Sequence, residues 1–472
     1  MDLYLKIATQ IKQFFKHDAI ELPLEIEGKI LRIEVPIPQV EPLSWLARQQ
    51  SDVKTYWADR QGRFTMAGIG TIDTIASDLP ISYAHVFDRL RQNLSSLFPK
   101  VRYYGGIGFS QDRWIDPSWK LFGNYRFVVP RFEIWTDGIE TFFACNCLLT
   151  LPSGQWDREL DLILAELIKL DLTQPEIAIN LPPIQISRLD TPNRYEWSQN
   201  VELSLAKFAD FQLEKIVLAR KSTLTFASNL QPQLLLLLLQ PNNHPSYHFC
   251  FQIDATTAFI GTSPERLYYR HDRLLKTEAI AGTRHRGAST QSDIQLSEEL
   301  QSSPKDIREH QLVVDHLQSI LAQLCQSVEL NRAASILKLN KVQHLYTQFQ
   351  GILTPDVTDA DILPQLHPTP AVGGVPRIPA LKLIQELEPF ERGWYAAPVG
   401  WVGADDAEFA VAIRSGLIDR HRLLLFAGAG IVTGSQAEEE WIEIENKIRH
   451  FTDLFTFANS STIAGHRSHI ER

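Results

Sequence analysis

Lys215-Ile216-Val217-Leu218-Ala219-Arg220 and Leu423-Leu424-Leu425-Phe426-Ala427 are short apolar runs with no charge in their interiors. Runs of this length read as strands buried on both faces. Side chains alternate along a strand, so Lys215 shares a face with Val217 and Ala219. Outward from these runs, residues 304–325 and 436–450 carry helical patterns. Upstream, short strand-like stretches alternate with turns, as in Lys29-Ile30-Leu31-Arg32-Ile33-Glu34-Val35 and Tyr125-Arg126-Phe127-Val128-Val129-Pro130, with helices near 82–98 and 157–170. Strands outnumber helices there, which predicts an α+β fold of large antiparallel sheets with surrounding helices. A stretch from Gln174 to Asn193 bearing Pro175, Pro182, Pro183 and Pro192 reads as a link. The expected organisation is a sheet-rich region over 1–195 integrated with the core, a core over 196–455, and a polar tail over 456–472.

Length alone suggests two or three domains. The formal charge of −10, with acidic and basic residues interspersed, argues against a nucleic-acid or anionic-membrane surface, while local cations can still hold a small anion. Four cysteines do not make a disulfide framework; Cys145 and Cys147 fall on one face of a strand, without the second cluster a zinc site needs. A reducing, cytoplasmic setting fits. The first residues read as an amphipathic helix with Ile7, Ile11, Phe14 and Phe15, and the leucine run 234–239 is too short to span a bilayer.

Two acidic helical segments carry spaced carboxylates. In Ser303-Pro304-Lys305-Asp306-Ile307-Arg308-Glu309-His310, Ser303 is an N-cap, Pro304 suits the first helical position, and Asp306 and Glu309 lie one turn apart. In the segment 440–447, Glu440, Glu443 and Lys447 share a face opposite the apolar stripe Trp441, Ile444 and Ile448. Like charges at that spacing repel, so a cation is expected to offset them. Paired carboxylates suit Mg²⁺, which takes one or two beside an anionic substrate. Either segment alone reads better as a solvated face.

Other residues carry candidate chemistry. Desolvation at the start of a strand favours a neutral amine, making Lys215 a candidate base, although a lysine snorkelling from a strand end fits the same pattern. Glu265 follows the strand-like Ala258-Phe259-Ile260-Gly261 in the turn Thr262-Ser263-Pro264-Glu265-Arg266, where a carboxyl is either solvated or held protonated as a general acid. Arg414 stands in a strand pattern otherwise almost free of charge, Phe409 to Gly416, either structurally paired or a two-pronged anchor for a carboxylate. Ala427-Gly428-Ala429-Gly430-Ile431-Val432-Thr433-Gly434 follows a strand but fails the dinucleotide pattern, because Thr433 takes the third glycine's place and three glutamates follow. Gly428 and Gly430 instead offer close backbone approach with free N–H groups, and Gly282 can do the same.

Taken in order, Lys215 to Arg220, Ser263-Pro264-Glu265, Ala281-Gly282-Thr283, Arg308-Glu309-His310, Gln343-His344-Leu345, His367-Pro368-Thr369-Pro370-Ala371-Val372-Gly373-Gly374, Ala412-Ile413-Arg414-Ser415 and Ala427-Gly428-Ala429-Gly430 closely resemble the chorismate-utilising enzymes, over about residues 196–450. Tyr104 to Phe109 and Val129-Pro130-Arg131 are similar, less closely, to isochorismate synthases. The branches that use ammonia carry glutamine or another residue at the position of Lys215, and a threonine where this chain has Ala371. Both departures imply water as the nucleophile. Salicylate synthases share the lysine, and the stretch Thr369 to Gly374 favours the isochorismate synthase branch over them.

The resemblance implies an isomerase that converts chorismate to isochorismate. Lys215 would take a proton from water attacking C2, and Glu265 would give one to the hydroxyl leaving C4. Mg²⁺ would be held by Glu309 and Glu443, with Asp306 or Glu440 bound directly or through water. Gly282 and Thr283 would contact the ring carboxylate, His344 and Ala371 would line the pocket, and Arg414, Lys447, Gly428 and Gly430 would hold the enolpyruvyl carboxylate. No glutaminase subunit is implied, and the N-terminal half leans towards the menaquinone or phylloquinone pathways rather than siderophores or salicylate.

Overall fold

Two antiparallel sheets carry the chain, and strands pass from one to the other at the places where the chemistry-bearing residues lie. The computed structural model describes residues 3–16, 26, 28–110, 116–148, 156–173, 182–209, 213–240, 245–338 and 342–467. Among these, one sheet has twelve strands and the other nine. Both mix early and late segments. The strand Lys54–Ala58 pairs with Tyr247–Gln252 in the larger sheet, and Tyr103–Ile107 pairs with Pro398–Val402 in the smaller. The fold is therefore α+β with large antiparallel sheets, as the abundance of strands upstream predicts.

The strand Lys215–Phe226 shows why the pattern folds this way. Ile216, Leu218 and Leu224 pack beneath the helices on the outer face of the larger sheet. Ala219 joins the core between the two sheets, so Lys215, Val217 and Ala219 face inward as alternation requires. Its neighbour Arg422–Val432 behaves alike: Leu423, Leu425, Ala427, Ala429 and Ile431 turn outward, while Leu424 and Phe426 turn inward. Gly428 and Gly430 continue that inward face. They lie inside the strand, not in a turn after it, which removes the loop a dinucleotide site would need.

The helix Pro304–Leu324 begins as expected, with Ser303 capping the backbone N–H of Asp306 and Pro304 in the first turn. It buries Val313, Leu317 and Leu321. The last helix, Ala437–Arg467, packs Ile444, Ile448 and Phe451 against the larger sheet. It runs on through Arg467, so much of the expected tail continues a helix. Part of the expected proline-bearing link, 174–181, lies outside the described residues, and the following Gln185–Thr191 is a strand paired with Lys221 to Phe226. Arg414 corrects another expectation. The strand Asp406–Val411 ends before it and Ser415–Asp419 begins after it, leaving Arg414 in the connector with φ of 52°. No helix among the described residues is long and apolar enough to cross a membrane.

Candidate active site

Two crossovers between the sheets build the centre of the site. Thr257–Ser263 belongs to the larger sheet and Arg266–His271 to the smaller, so Pro264 and Glu265 form one crossing. Ala412, Ile413 and Arg414 form the return crossing. The two are bonded to each other: Val411 N–H donates to Glu265 O at 3.1 Å, Thr262 N–H to Arg414 O at 3.0 Å, and Ser263 Oγ to Val411 O at 2.6 Å. A cavity of about 340 Å³ opens beside them. Thirteen of the fourteen residues singled out from the sequence line it: Glu265, Gly282, Thr283, Asp306, Glu309, His344, Ala371, Arg414, Gly428, Gly430, Glu440, Glu443 and Lys447.

Lys215 is the exception. It is 1% exposed and sits behind the wall, donating from Nζ to Glu309 Oε1 at 2.8 Å. Gly430 makes room for that pair, since a Cβ there would stand 3.2 Å from Lys215 Cε and 3.3 Å from Glu309 Oε1. A lysine accepts a proton only as the neutral amine, so base action requires this pair to open and the ammonium to give up a proton first. Burial alone would raise the pKa of Glu309, but Lys215, joined by Lys447 and Lys305, holds the carboxyl below its ordinary value.

Glu265 is 6% exposed. Burial, and then the negative charge of Glu278, push its pKa up to about 8 against the opposing pull of Lys215, Lys447 and Arg60. A carboxyl in this state carries a proton at neutral pH and can donate it. His344 takes the opposite course, held near 3 by burial and then by Arg414. Its Nδ1 lies 3.1 Å from Gly282 O, which only accepts, so the hydrogen is assigned to Nδ1. Nε2 is then a bare acceptor, buried and, among the described residues, without a partner.

The carboxylates meet where the two acidic helices converge. Gly282, with φ of 68°, lets the helix start approach, because a Cβ there would lie 3.1 Å from Asp306 Cβ. Asp306 accepts from Arg284 at 2.7 Å, Glu443 accepts from Lys447 at 2.5 Å, and Lys305 stands 3.8 Å from Glu440. Glu440 is 3% exposed, and burial followed by the charge of Glu443 raises its pKa. Among the described residues no three ligating side chains gather into a closed metal site. The donors are nonetheless all oxygens on one wall, with a buried carboxylate short of positive charge. That set fits Mg²⁺, which binds one or two carboxylates and leaves its other positions to water and substrate.

Anion contacts lie nearby. Burial disfavours the charge on Arg414 against the opposing pull of Glu443 and Tyr395, and the residue lines the cavity. Lys447 Nζ donates to Gly428 O at 2.9 Å. A strand residue's N–H and C=O point the same way, so Gly428 N–H also faces that open edge, beyond the end of Ser415–Asp419. Arg284, Lys305 and Tyr395 line the cavity as well and were not singled out from the sequence. Arg284 follows directly on the Ala281-Gly282-Thr283 motif, a signal that could have found it.

The family described as chorismate binding enzyme matches residues 19–456. Isochorismate synthase 2 of Arabidopsis thaliana, described as chloroplastic, is 34% identical over 463 residues, spanning 91% of this chain and 81% of that protein. Isochorismate synthase MenF of Escherichia coli is 32% identical over 452 residues, spanning 93% and 97%. The solved structure of MenF, the menaquinone-specific isochorismate synthase from Escherichia coli, superposes with a TM-score of 0.83 at 30% identity, covering 95% of this chain and 100% of that one.

Proposed function

The chain belongs to the chorismate-binding enzyme family, and from that membership we propose that it is an isochorismate synthase, an isomerase converting chorismate to isochorismate. The observation that carries this reading is Glu265, a buried carboxyl holding its proton at neutral pH, on the same cavity as the carboxylate that partners Lys215.

Water adds to C2 of the ring as the double bonds shift and the C4 hydroxyl departs. Lys215, once its pair with Glu309 opens and its ammonium has released a proton to solvent, accepts as the neutral amine the proton from the attacking water. Glu265 gives its proton to the leaving hydroxyl, which departs as water. One water enters and one leaves, so the reaction is an isomerisation and runs in reverse with the roles exchanged. Glu309 and Glu443 would hold Mg²⁺, with Asp306 or Glu440 bound directly or through water. When bound, Mg²⁺ supplies positive charge that neutralises and orients the ring carboxylate. Gly282 and Thr283 contact that carboxylate, and His344 and Ala371 shape the pocket beside the ring. Arg414, Lys447 and the edge N–H groups of Gly428 and Gly430 bind the enolpyruvyl carboxylate.

Purified protein incubated with chorismate and Mg²⁺ should yield isochorismate alone, followed by chromatography and NMR. Salicylate with pyruvate would identify a salicylate synthase instead, and absence of turnover would overturn the proposal. Chelation should abolish turnover and added Mg²⁺ restore it. We further propose that the product feeds menaquinone or phylloquinone formation, supported by the resemblance along nearly the whole chain to a menaquinone-specific enzyme. Four buried free thiols support a reducing, cytoplasmic compartment.

A further inference from the structure

We propose that Arg60 and Glu278 are a positioning pair for the general acid: together they clamp the peptide groups on both sides of Glu265, so that the N-terminal region directly governs the proton-donating step. The inference rests on the reading that Glu265 is that donor.

Both side chains are buried, at 6% and 4% exposure. Arg60 engages the Glu278 carboxylate with two prongs, at 2.5 and 2.7 Å. The remaining valences are spent around Glu265. Arg60 Nη1 donates to Pro264 O at 2.7 Å, and Glu278 Oε1 accepts from Arg266 N–H at 3.0 Å. The carbonyl before Glu265 and the amide after it are thus held by one ion pair whose members come from positions 218 residues apart. Tyr346 Oη steadies the other carboxylate oxygen at 3.0 Å. Neither Arg60 nor Glu278 lines the cavity, so neither touches substrate.

A buried ion pair is weak evidence of stabilisation, because desolvating two charges offsets most of their attraction. Its placement here serves a different end. Burial favours the protonated acid most; of the charged groups that act most strongly on Glu265, which are Glu278 and Arg60 of the pair, Lys215 of the neighbouring strand and Lys447 of the last helix, only Glu278 works in the same direction. The pair therefore fixes the carboxyl's position through the backbone and its proton through the field.

Glu278→Gln keeps the shape and removes the charge. In the wild type, kcat/KM should fall as pH rises through about 8. In Glu278→Gln that limb should move down by about one pH unit, leaving kcat/KM about tenfold lower above both limbs, with KM near pH 6.5 changed less than about twofold. The double variant Arg60→Met/Glu278→Met removes both charges without leaving one unpaired. It should fold, keep the limb near its wild-type position, and lose kcat about tenfold through loss of the clamp. A folded Glu278→Gln with an unmoved limb overturns the proposal. Should Glu278→Gln fail to fold, an undiminished kcat in the double variant does the same. The protonated-carboxyl infrared band, assigned by its loss in Glu265→Gln, titrates without turnover and must shift likewise in Glu278→Gln. A wild type inert towards chorismate would sink the functional reading, while the infrared titration would still decide the role of the pair.

Discussion

Glu265 keeps its proton at a cost to folding, and the sign of that cost can be measured. Its pKa rises from an ordinary 4.5 to about 8 on folding, so the folded chain binds the extra proton between those values. The associated stability is complete below about 4.5 and is lost progressively as pH rises towards about 8. Glu265→Gln should therefore melt higher than the wild type at pH 8.5 and show little difference at pH 5, read by thermal denaturation. The same substitution should lower kcat by about 10²- to 10⁴-fold, the usual contribution of a positioned acid. Gly430→Ala tests the partner group. The new methyl would press on the flexible ends of Lys215 and Glu309, so kcat should fall at least tenfold while the melting temperature moves by no more than a few degrees. Much of this was readable from residues alone. Alternation placed Lys215 inward beside Val217, and a carboxyl directly after a buried run marked Glu265. The position of Lys215 behind Glu309 was not readable, because it depends on how closely a helix approaches a strand from 94 residues away.

The strand Lys215–Phe226 has a gap in one of its edges, and side chains fill it. On that edge Gly374–Val375 covers Lys215 and Ile216, while Gln185–Thr191 begins its pairing at Lys221. Between them, Val217 N–H donates to Gly373 O at 2.8 Å, Arg392 Nη2 donates to Val217 O at 2.7 Å, and Ala219 N–H donates to Glu388 Oε1 at 2.8 Å. Arg392 also holds Val372 O at 2.8 Å, tying the cavity wall to the strand of Lys215. Arg392→Leu leaves Glu388 buried without its cation and two carbonyls without a donor. It should destabilise the protein by about 3–5 kcal/mol, measured by urea denaturation. Periodicity reveals such elements one at a time, which is why the helices beginning at Pro304 and Ala437 and the strands beginning at Lys215 and Arg422 were legible. It carries no information about what closes an open edge. The break at Arg414 was hidden for a related reason: an apolar run crossing between two buried sheets has the same composition as one strand.

At the scale of the whole molecule, early and late segments are interleaved within both sheets. Tyr247–Gln252 takes one partner from Thr257–Ser263 and the other from Lys54–Ala58. A fragment spanning residues 196–472 would keep most of the cavity wall yet expose that strand edge and lose Arg60. It should be insoluble or lack a cooperative thermal transition when expressed alone, as judged by circular dichroism. The family motifs cluster downstream and made the chemistry legible from part of the chain. Dependence on the upstream part was not legible, because it resides in strand pairing.

The two bonded crossovers at Glu265 and Arg414 also act as a rivet through both sheets. Sliding one sheet over the other would drag the acid and the anion anchor along with their shared hydrogen bonds, so neither can loosen by itself. Heat should consequently silence this protein in a single step: turnover should persist up to the melting transition and vanish with it, with no temperature range in which a folded chain has already lost its site.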